Sequence, residues 1–373
     1  MNLLTNREYL GLTVPFMLST MTQPLMGAVN TAVMGQLPDP KYIAAVSLGA
    51  ILFNNLYWLF GFLRVSTTGY AAQAFGAADR ELGTLAFFKP LVLALLISLA
   101  CIVFQKPILE GYLAMIGAAP EVNDLCREYY YILIWGAPLV LGNYVALGWL
   151  MGQTRVRASV FMQVSMNVLN MALSIWFVFG LHMDIVGVAF ATLLSQLYGG
   201  VISVVLMYYY GEFDYKNLPW GELLDWRTFI GMLKVNVNLM IRTACLLTVN
   251  NIIAAVGASF GTVVLAANAV LLQLKDIMSY LIDGMANGAA IFSGRAVGAK
   301  SGAGLDAAIR MTFKWLVVLA VMLMGVYAAV NEFFIRLFTN LDEVVAMAMT
   351  YNAFVLFYPV CAGIGMVLYG VFC

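Results

Sequence analysis

Long apolar runs constrain this chain more than any other feature. Measured between charged and Gly/Pro-rich breaks, they fall near residues 10–36, 43–75, 84–105, 128–152, 157–180, 184–210, 229–257, 262–296, 308–330 and 345–373. At about 20 residues per crossing, each is long enough to span a bilayer as a helix. The runs contain Gly, Pro and Asn too often for barrel strands and lack the roughly ten-residue alternation such strands need. The expectation is an all-α membrane protein with about ten helices. Composition agrees, with 63% hydrophobic and 10% charged residues, where soluble domains carry about 25% charged. The 19 basic and 19 acidic residues cancel, so no nucleic-acid partner is expected. Five scattered cysteines, Cys101, Cys126, Cys245, Cys361 and Cys373, and a lone His182 give neither a disulfide framework nor a metal cluster. No metal or other cofactor is expected, and His182, in a short outer turn, reads as a solvated loop residue. The opening MNLLTNREYL has none of the parts of a removable signal peptide.

Lysine and arginine fall unevenly across the breaks. Arg7, Arg80, Lys89, Arg155, Arg157, Lys216, Arg227, Lys234, Arg295, Lys300, Arg310 and Lys314 lie on the side of the amino terminus; Lys41, Lys106, Arg127 and Arg336 lie on the other. By the positive-inside rule the amino terminus is cytoplasmic in an inner (plasma) membrane. An internal repeat organises the rest. A shift of 222 residues carries Ala44-Ala45, Leu52, Ala74, Gly76 and Ala77 onto Ala266-Ala267, Leu274, Ala296, Gly298 and Ala299. Three further residues bring Phe88-Lys89 onto Phe313-Lys314, and Pro138 and Gly142 recur as Pro359 and Gly363. Each copy has six helices, an even number, so the copies share one orientation, as in parallel-repeat transporters. The division expected is a six-helix bundle over 1–210, a cytoplasmic linker over 211–228 and a second bundle over 229–373. That second bundle reaches Cys373 with four of its six helices, so a complete protein of about twelve helices is expected.

Polar side chains in a bilayer core join helices or line a water-filled path, and ionisable ones are functional candidates. Gln163, Asn167, Asn170 and Ser174 recur at i, i+4, i+7 and i+11, stacking on one face of the fifth helix. Gln23 and Asn30 repeat the device in the first helix, beside Pro24, which permits a bend. These residues either bridge neighbouring helices or face a cavity; as a set they point to a cavity. The eighth helix carries Lys275, Asp276, Ser279, Asp283 and Asn287. A carboxyl group there could load and release a proton or hold a cation. Lys275 and Asp276, about 100° apart as neighbours on a helix, are expected to pair poorly. Arg64 and Arg242 also sit in apolar runs, where they snorkel, pair with Asp276 or Asp283, or bind an anionic group. The 22 methionines and the 23 Phe, 19 Tyr and 7 Trp suit a plastic apolar pocket, although most such residues face lipid or pack. No phosphate-binding loop, HExxH or nucleophile with a histidine partner is present in the sequence, so no enzyme is expected, and uphill transport would draw on an ion gradient.

VNTAVMGQL (29–37), FLRVSTTGYAAQAFGA (62–77), NVLNMALSIWFVFGLHM (167–183), LAANAVLLQL (265–274) and LIDGMANGAAIFSGRAVGA (281–299) together resemble the multidrug and toxic compound extrusion (MATE) family, in its DinF-type branch. The resemblance runs the whole chain. It implies two six-helix bundles around a central cavity that alternates between inward-open and outward-open states. It also implies export of amphipathic, often cationic, organic compounds against H+ or Na+, by a protein expected to be monomeric. Departures accompany the matches. Where family members commonly carry acids, this chain has Asn30, Ser174, Ala290 and Tyr369, and none of these side chains exchanges a proton near pH 7. Asn170 and Asp283 do match. Either coupling has moved to Asp276 and Asp283, with Asn30, Asn170 and Ser174 as neutral ligands or substrate contacts, or the protein is an uncoupled facilitator. A flippase for lipids or lipid-linked sugars is the alternative within transport. A transport-incompetent scaffold or fragment is the alternative outside it.

Overall fold

The computed structural model describes residues 4–35, 40–116, 120–210, 221, 226–339 and 341–372. The expected linker over 211–228 lies almost wholly outside the described residues. Those residues form helices joined by tight turns: α1 Asn6–Thr20, α2 Thr22–Gly35, α3 Pro40–Leu59, α4 Phe62–Ala77, α5 Arg80–Val103, α6 Gln105–Ile116, α7 Pro120–Leu133, α8 Ala137–Gly152, α9 Val156–Ile175, α10 Asp184–Tyr210, α11 Trp226–Ser259, α12 Thr262–Gly298, α13 Gly302–Arg336, α14 Asp342–Thr350 and α15 Asn352–Phe372. A 3-10 turn, Ile134–Gly136, links α7 to α8, and a π turn, Trp176–Gly180, ends α9. Among the described residues eight helical stretches are long and apolar enough to cross a membrane, from Ala44–Ala77 to Asn352–Phe372. The protein is an all-α membrane protein.

Local chemistry fixes the ends. Thr5 and Glu8 form a reciprocal capping box on α1, whose hydrogen bonds to the Thr5 backbone and side chain hold the Glu8 carboxyl below its ordinary range. Asp79 caps α5 by accepting from the N–H groups of Glu81 and Leu82, both at 3.0 Å. Ala78, at φ 53°, closes α4 in the left-handed region. Three runs expected to be continuous are interrupted. The first breaks at Met21, three residues before the bend anticipated at Pro24. Pro24 is the third residue of α2, where its missing N–H has no intrahelical partner to lose. The run over 43–75 breaks at Phe60 and Gly61, and the last run at Tyr351.

The chain gathers into two compact units, Thr22–Met240 (the 22–240 unit) and Met1–Met21 with Ile241–Cys373 (the 241–373 unit). Compactness thus groups α1 with the later residues and not with the rest of the first sequence half. The reason lies in its contacts. Thr20 Oγ1 donates to the Tyr280 carbonyl at 2.8 Å, Tyr9 stacks on Phe292 at 5.4 Å, and Asn6 Oδ1 accepts from Lys314 and Trp315, both at 3.2 Å. Gly284 and Gly288 let α1 approach closely, since a Cβ at either would overlap Met17 or Thr13.

The repeat is built into the packing. In the 22–240 unit α4 packs on α5 and α8, α3 on α7 and α5 on α8; in the 241–373 unit α12 packs on α13, α15 and α14, and α13 on α15. The tightest crossings recur as well. A Cβ at Gly148 would overlap the Arg64 carbonyl and one at Gly370 the Ala286 carbonyl, and both pairs are 222 residues apart. Gly142 faces Leu91 and Gly363 faces Leu316 at the same joint.

Candidate functional site

The 22–240 unit holds its polar residues in a hydrogen-bonded relay between α2, α9 and α10. Asn30 Nδ2 donates to Asn170 Oδ1 at 3.0 Å, and Asn170 Nδ2 donates to Thr192 Oγ1 at 3.0 Å and Ser195 Oγ at 3.4 Å. One turn earlier on α9, Asn167 Nδ2 donates to Thr22 Oγ1 at 2.6 Å. Asn170 is 1% exposed, and Gln163, Asn167 and Ser174 are buried with it. Gln23 is half-buried at the start of α2. The periodic face of α9 is therefore turned inward, as its spacing predicts, and two of its amides bridge helices. The relay is not saturated: Asn30 Oδ1 and Ser174 Oγ are buried acceptors with no hydrogen-bond partner among the described residues. Unfilled acceptors in a buried neutral site can take a donor, a water or a cation, but they cannot carry a proton.

The 241–373 unit concentrates charge on α12. Lys275 Nζ lies 2.9 Å from Asp276 Oδ1, with side chains 12% and 46% exposed. This corrects the expectation that these neighbours pair poorly: the long lysine stem folds back across the 100° between them while its head also reaches Asn250 Oδ1 at 3.5 Å. One turn on, Ser279 Oγ donates to the Lys275 carbonyl at 2.9 Å and shares a 2.7 Å contact with Tyr358 Oη. Asp283 is half-buried, and Asn287, 4% exposed, donates to its Oδ2 at 3.5 Å. Asp276 and Asp283 are thus separate centres, about 10 Å apart along the axis.

The two arginines differ. Arg64 is half-buried in the first turn of α4, beside the crossing with Gly148. Arg242, half-buried on α11, lies 4.1 Å from the centroid of the Tyr369 ring. It reaches neither Asp276 nor Asp283, which removes the ion pair left open by the sequence. His182 is exposed in its turn, at φ 53°. Sequence reasoning missed the partners Thr22, Thr192, Ser195, Asn250 and Tyr358. It also missed Asn143, whose Nδ2 donates to Gln196 Oε1 at 3.0 Å. Thr192 and Ser195, three apart on α10, were the one local signal available.

A helical membrane protein with a duplicated four-helix core and polar groups buried in both units is built like a secondary transporter. The MatE family model matches residues 15–176 and 239–373, and this chain belongs to the MATE family. It is 34% identical over 352 residues to the DNA damage-inducible protein F of Escherichia coli, covering 94% of this chain and 76% of that one. It is 26% identical over 301 residues to the probable multidrug resistance protein NorM of Bradyrhizobium diazoefficiens, covering 78% and 63%. A crystal structure of MATE in complex with MaD5 superposes with a TM-score of 0.85 at 22% identity, covering 97% of this chain and 82% of that one. An outward-facing multidrug resistance MATE transporter superposes at 0.84 and 21%, with the same coverage. These last two are likenesses of fold. The chain is a multi-pass membrane transporter, not an enzyme.

Proposed function

We propose that the chain is a secondary active exporter of amphipathic organic compounds, working by alternating access, with its coupling ion held on α12. The export reading draws on relatives named for multidrug resistance and multidrug export. The observation that carries the coupling site is the placement of charge. In the interior of the membrane-crossing stretches, the carboxylates among the described residues are Asp276 and Asp283, while the 22–240 unit offers amides and hydroxyls. Asp276 is engaged by Lys275 at 2.9 Å and balances its charge. Asp283, with Asn287 at 3.5 Å, takes the proton or sodium ion. Asn30, Asn167, Asn170 and Ser174 supply neutral ligands or substrate contacts, with Gln23, Gln163 and Arg64 beside them in the same unit. The halves 1–210 and 229–373 are the moving bundles of this proposal, with α1 travelling with the second. The amino terminus is cytoplasmic and the membrane is the inner one.

The test is transport in proteoliposomes under an imposed proton or sodium gradient. Asp276→Asn with Asp283→Asn is expected to abolish uphill movement, and unchanged accumulation ratios would sink the proposal. A second reading, an uncoupled facilitator, is favoured by the neutral chemistry of the 22–240 unit. In that case flux down a substrate gradient survives ionophores and the double mutant alike.

A further inference from the structure

Arg242 has a chemical capacity that the coupling proposal does not use. It lies in the apolar stretch Val237–Asn250 of α11, where a charged side chain is costly and marks function unless it is compensated. Its compensation is partial. The Tyr369 ring covers one face of the guanidinium at 4.1 Å, which is a cation–π contact. A ring face satisfies none of the five N–H donors that lie in the guanidinium plane. Among the described residues no carboxylate, carbonyl or amide accepts from Arg242.

Lys275 shows what a settled cation in the same unit looks like. It too lies over a tyrosine, with Nζ 5.9 Å from the centroid of Tyr358, but it has Asp276 at 2.9 Å and Asn250 at 3.5 Å. Its charge is balanced internally, whereas that of Arg242 is not. The ring beneath Arg242 is also held in place. The next residue, Gly370, is pressed so closely on α12 that a Cβ there would overlap the Ala286 carbonyl. A planar fork of donors, with one face shielded by a fixed ring and its edge unspent, is suited to a carboxylate, sulfonate or phosphate. The surrounding apolar helix suits a hydrophobic body attached to that group.

We propose that Arg242 and Tyr369 form a binding platform for the anionic group of an amphipathic ligand, so that this transporter accepts amphipathic anions or zwitterions. The proposal deepens the exporter reading and rests on it for the transport step after binding.

The test uses the purified full chain in neutral detergent with two fluorescent probes that share one apolar body, dansylglycine, a monoanion, and dansylcholine, a monocation. Saturable dansylglycine binding is expected, roughly tenfold or more tighter than dansylcholine. Arg242→Gln should weaken it by about tenfold or more, and Arg242→Lys by less, since the charge stays and the fork is lost. Tyr369→Phe should stay near wild type and Tyr369→Ala should fall between. If Arg242→Gln does not fold, the decision passes to Arg242→Lys and Tyr369→Ala, both of which must weaken dansylglycine. Equal or tighter dansylcholine binding, no saturable dansylglycine binding, or an unchanged affinity in the arginine variants overturns the platform.

Repeating the titration in phosphatidylcholine nanodiscs with and without phosphatidylglycerol separates two sources of the same chemistry. Competition by phosphatidylglycerol assigns the platform to an anionic lipid headgroup, and its absence to a free amphipathic acid; both outcomes keep the anion site. Transport of the two probes separates the platform from the exporter reading. Anion binding without gradient-driven transport of either probe contradicts the exporter reading and leaves the platform standing. Driven transport of dansylcholine that Arg242→Gln leaves intact, with no anion preference, contradicts the platform alone.

Discussion

The 22–240 unit and the 241–373 unit share a scaffold and differ in what they bury. In the first, amides of α2 and α9 and hydroxyls of α10 satisfy one another across helices. In the second, charge sits on one helix, with Lys275 closed on Asp276 and Asp283 beside Asn287. The shift of 222 residues that superposes the packing does not superpose the charges: Lys275, Asp276 and Asp283 stand opposite Phe53, Asn54 and Gly61, and Arg64 stands opposite Ala286. Duplication kept the small residues that let helices cross and left each copy free to acquire its own polar chemistry. Packing is therefore the common property of the two copies, and ion handling is the property of one.

The largest effect expected bears on the shared part. Leucine at Gly148 or Gly370 must displace the facing carbonyl of Arg64 or Ala286, costing about 3 kcal/mol or more. Both variants should lose monodisperse protein or drop sharply in thermal stability. Gly11→Ala, where nothing lies within 4 Å of an added Cβ, should be neutral or gain up to about 1 kcal/mol. A tolerated Gly370→Leu beside a lethal Gly148→Leu would break the equivalence of the two joints.

The unshared part responds next. Asp276→Asn removes the partner of Lys275 and is expected to lower stability as well as transport. Asp283→Asn should lose driven transport while leaving the melting curve close to wild type. Reversal of that order would move the coupling site to Asp276. Asn170→Ala should cost about 1 kcal/mol, because interhelical hydrogen bonds in bilayers average about 0.6 kcal/mol each and this residue makes bonds to both α2 and α10. Its melting temperature should fall with gradient coupling intact.

The smallest effect lies outside the membrane-crossing core. Glu110 accepts from Arg127 at 3.0 and 2.9 Å, and that hydrogen bond holds its carboxyl below the ordinary 4.5. A lowered carboxylate contributes stability that is complete above its unfolded-state value and is lost as pH falls through the folded one. Arg127→Ala should therefore narrow the stability difference between pH 7 and pH 3, by a small amount for so exposed a pair. A difference that stays the same would show that this contact contributes nothing measurable.

Much of this was legible in the sequence, for identifiable reasons. Apolar runs reported the spans because a bilayer leaves the backbone no other way to satisfy itself. The i, i+4, i+7 spacing of Gln163, Asn167 and Asn170 reported the buried face of α9 because it follows the helical period. The break at Met21 was displaced from Pro24 because a proline in the first turn of a helix does not bend it. The pairing of Lys275 with Asp276 was misjudged because angular separation at the backbone ignores the reach of a four-carbon stem. The stacking of Arg242 on Tyr369, across 127 positions of chain, has no local signature at all.

The central claim, that ion coupling belongs to α12 and not to the amide relay of the 22–240 unit, is tested most directly by one comparison in proteoliposomes. Wild type, Asn170→Ala and the Asp276→Asn, Asp283→Asn double variant are reconstituted side by side, and accumulation of the dansyl probes is followed under a proton gradient and then a sodium gradient. The account predicts that one gradient drives uphill movement by wild type and by Asn170→Ala, and that the double variant only equilibrates the probe. Full accumulation by the double variant, or its selective loss in Asn170→Ala, would contradict it.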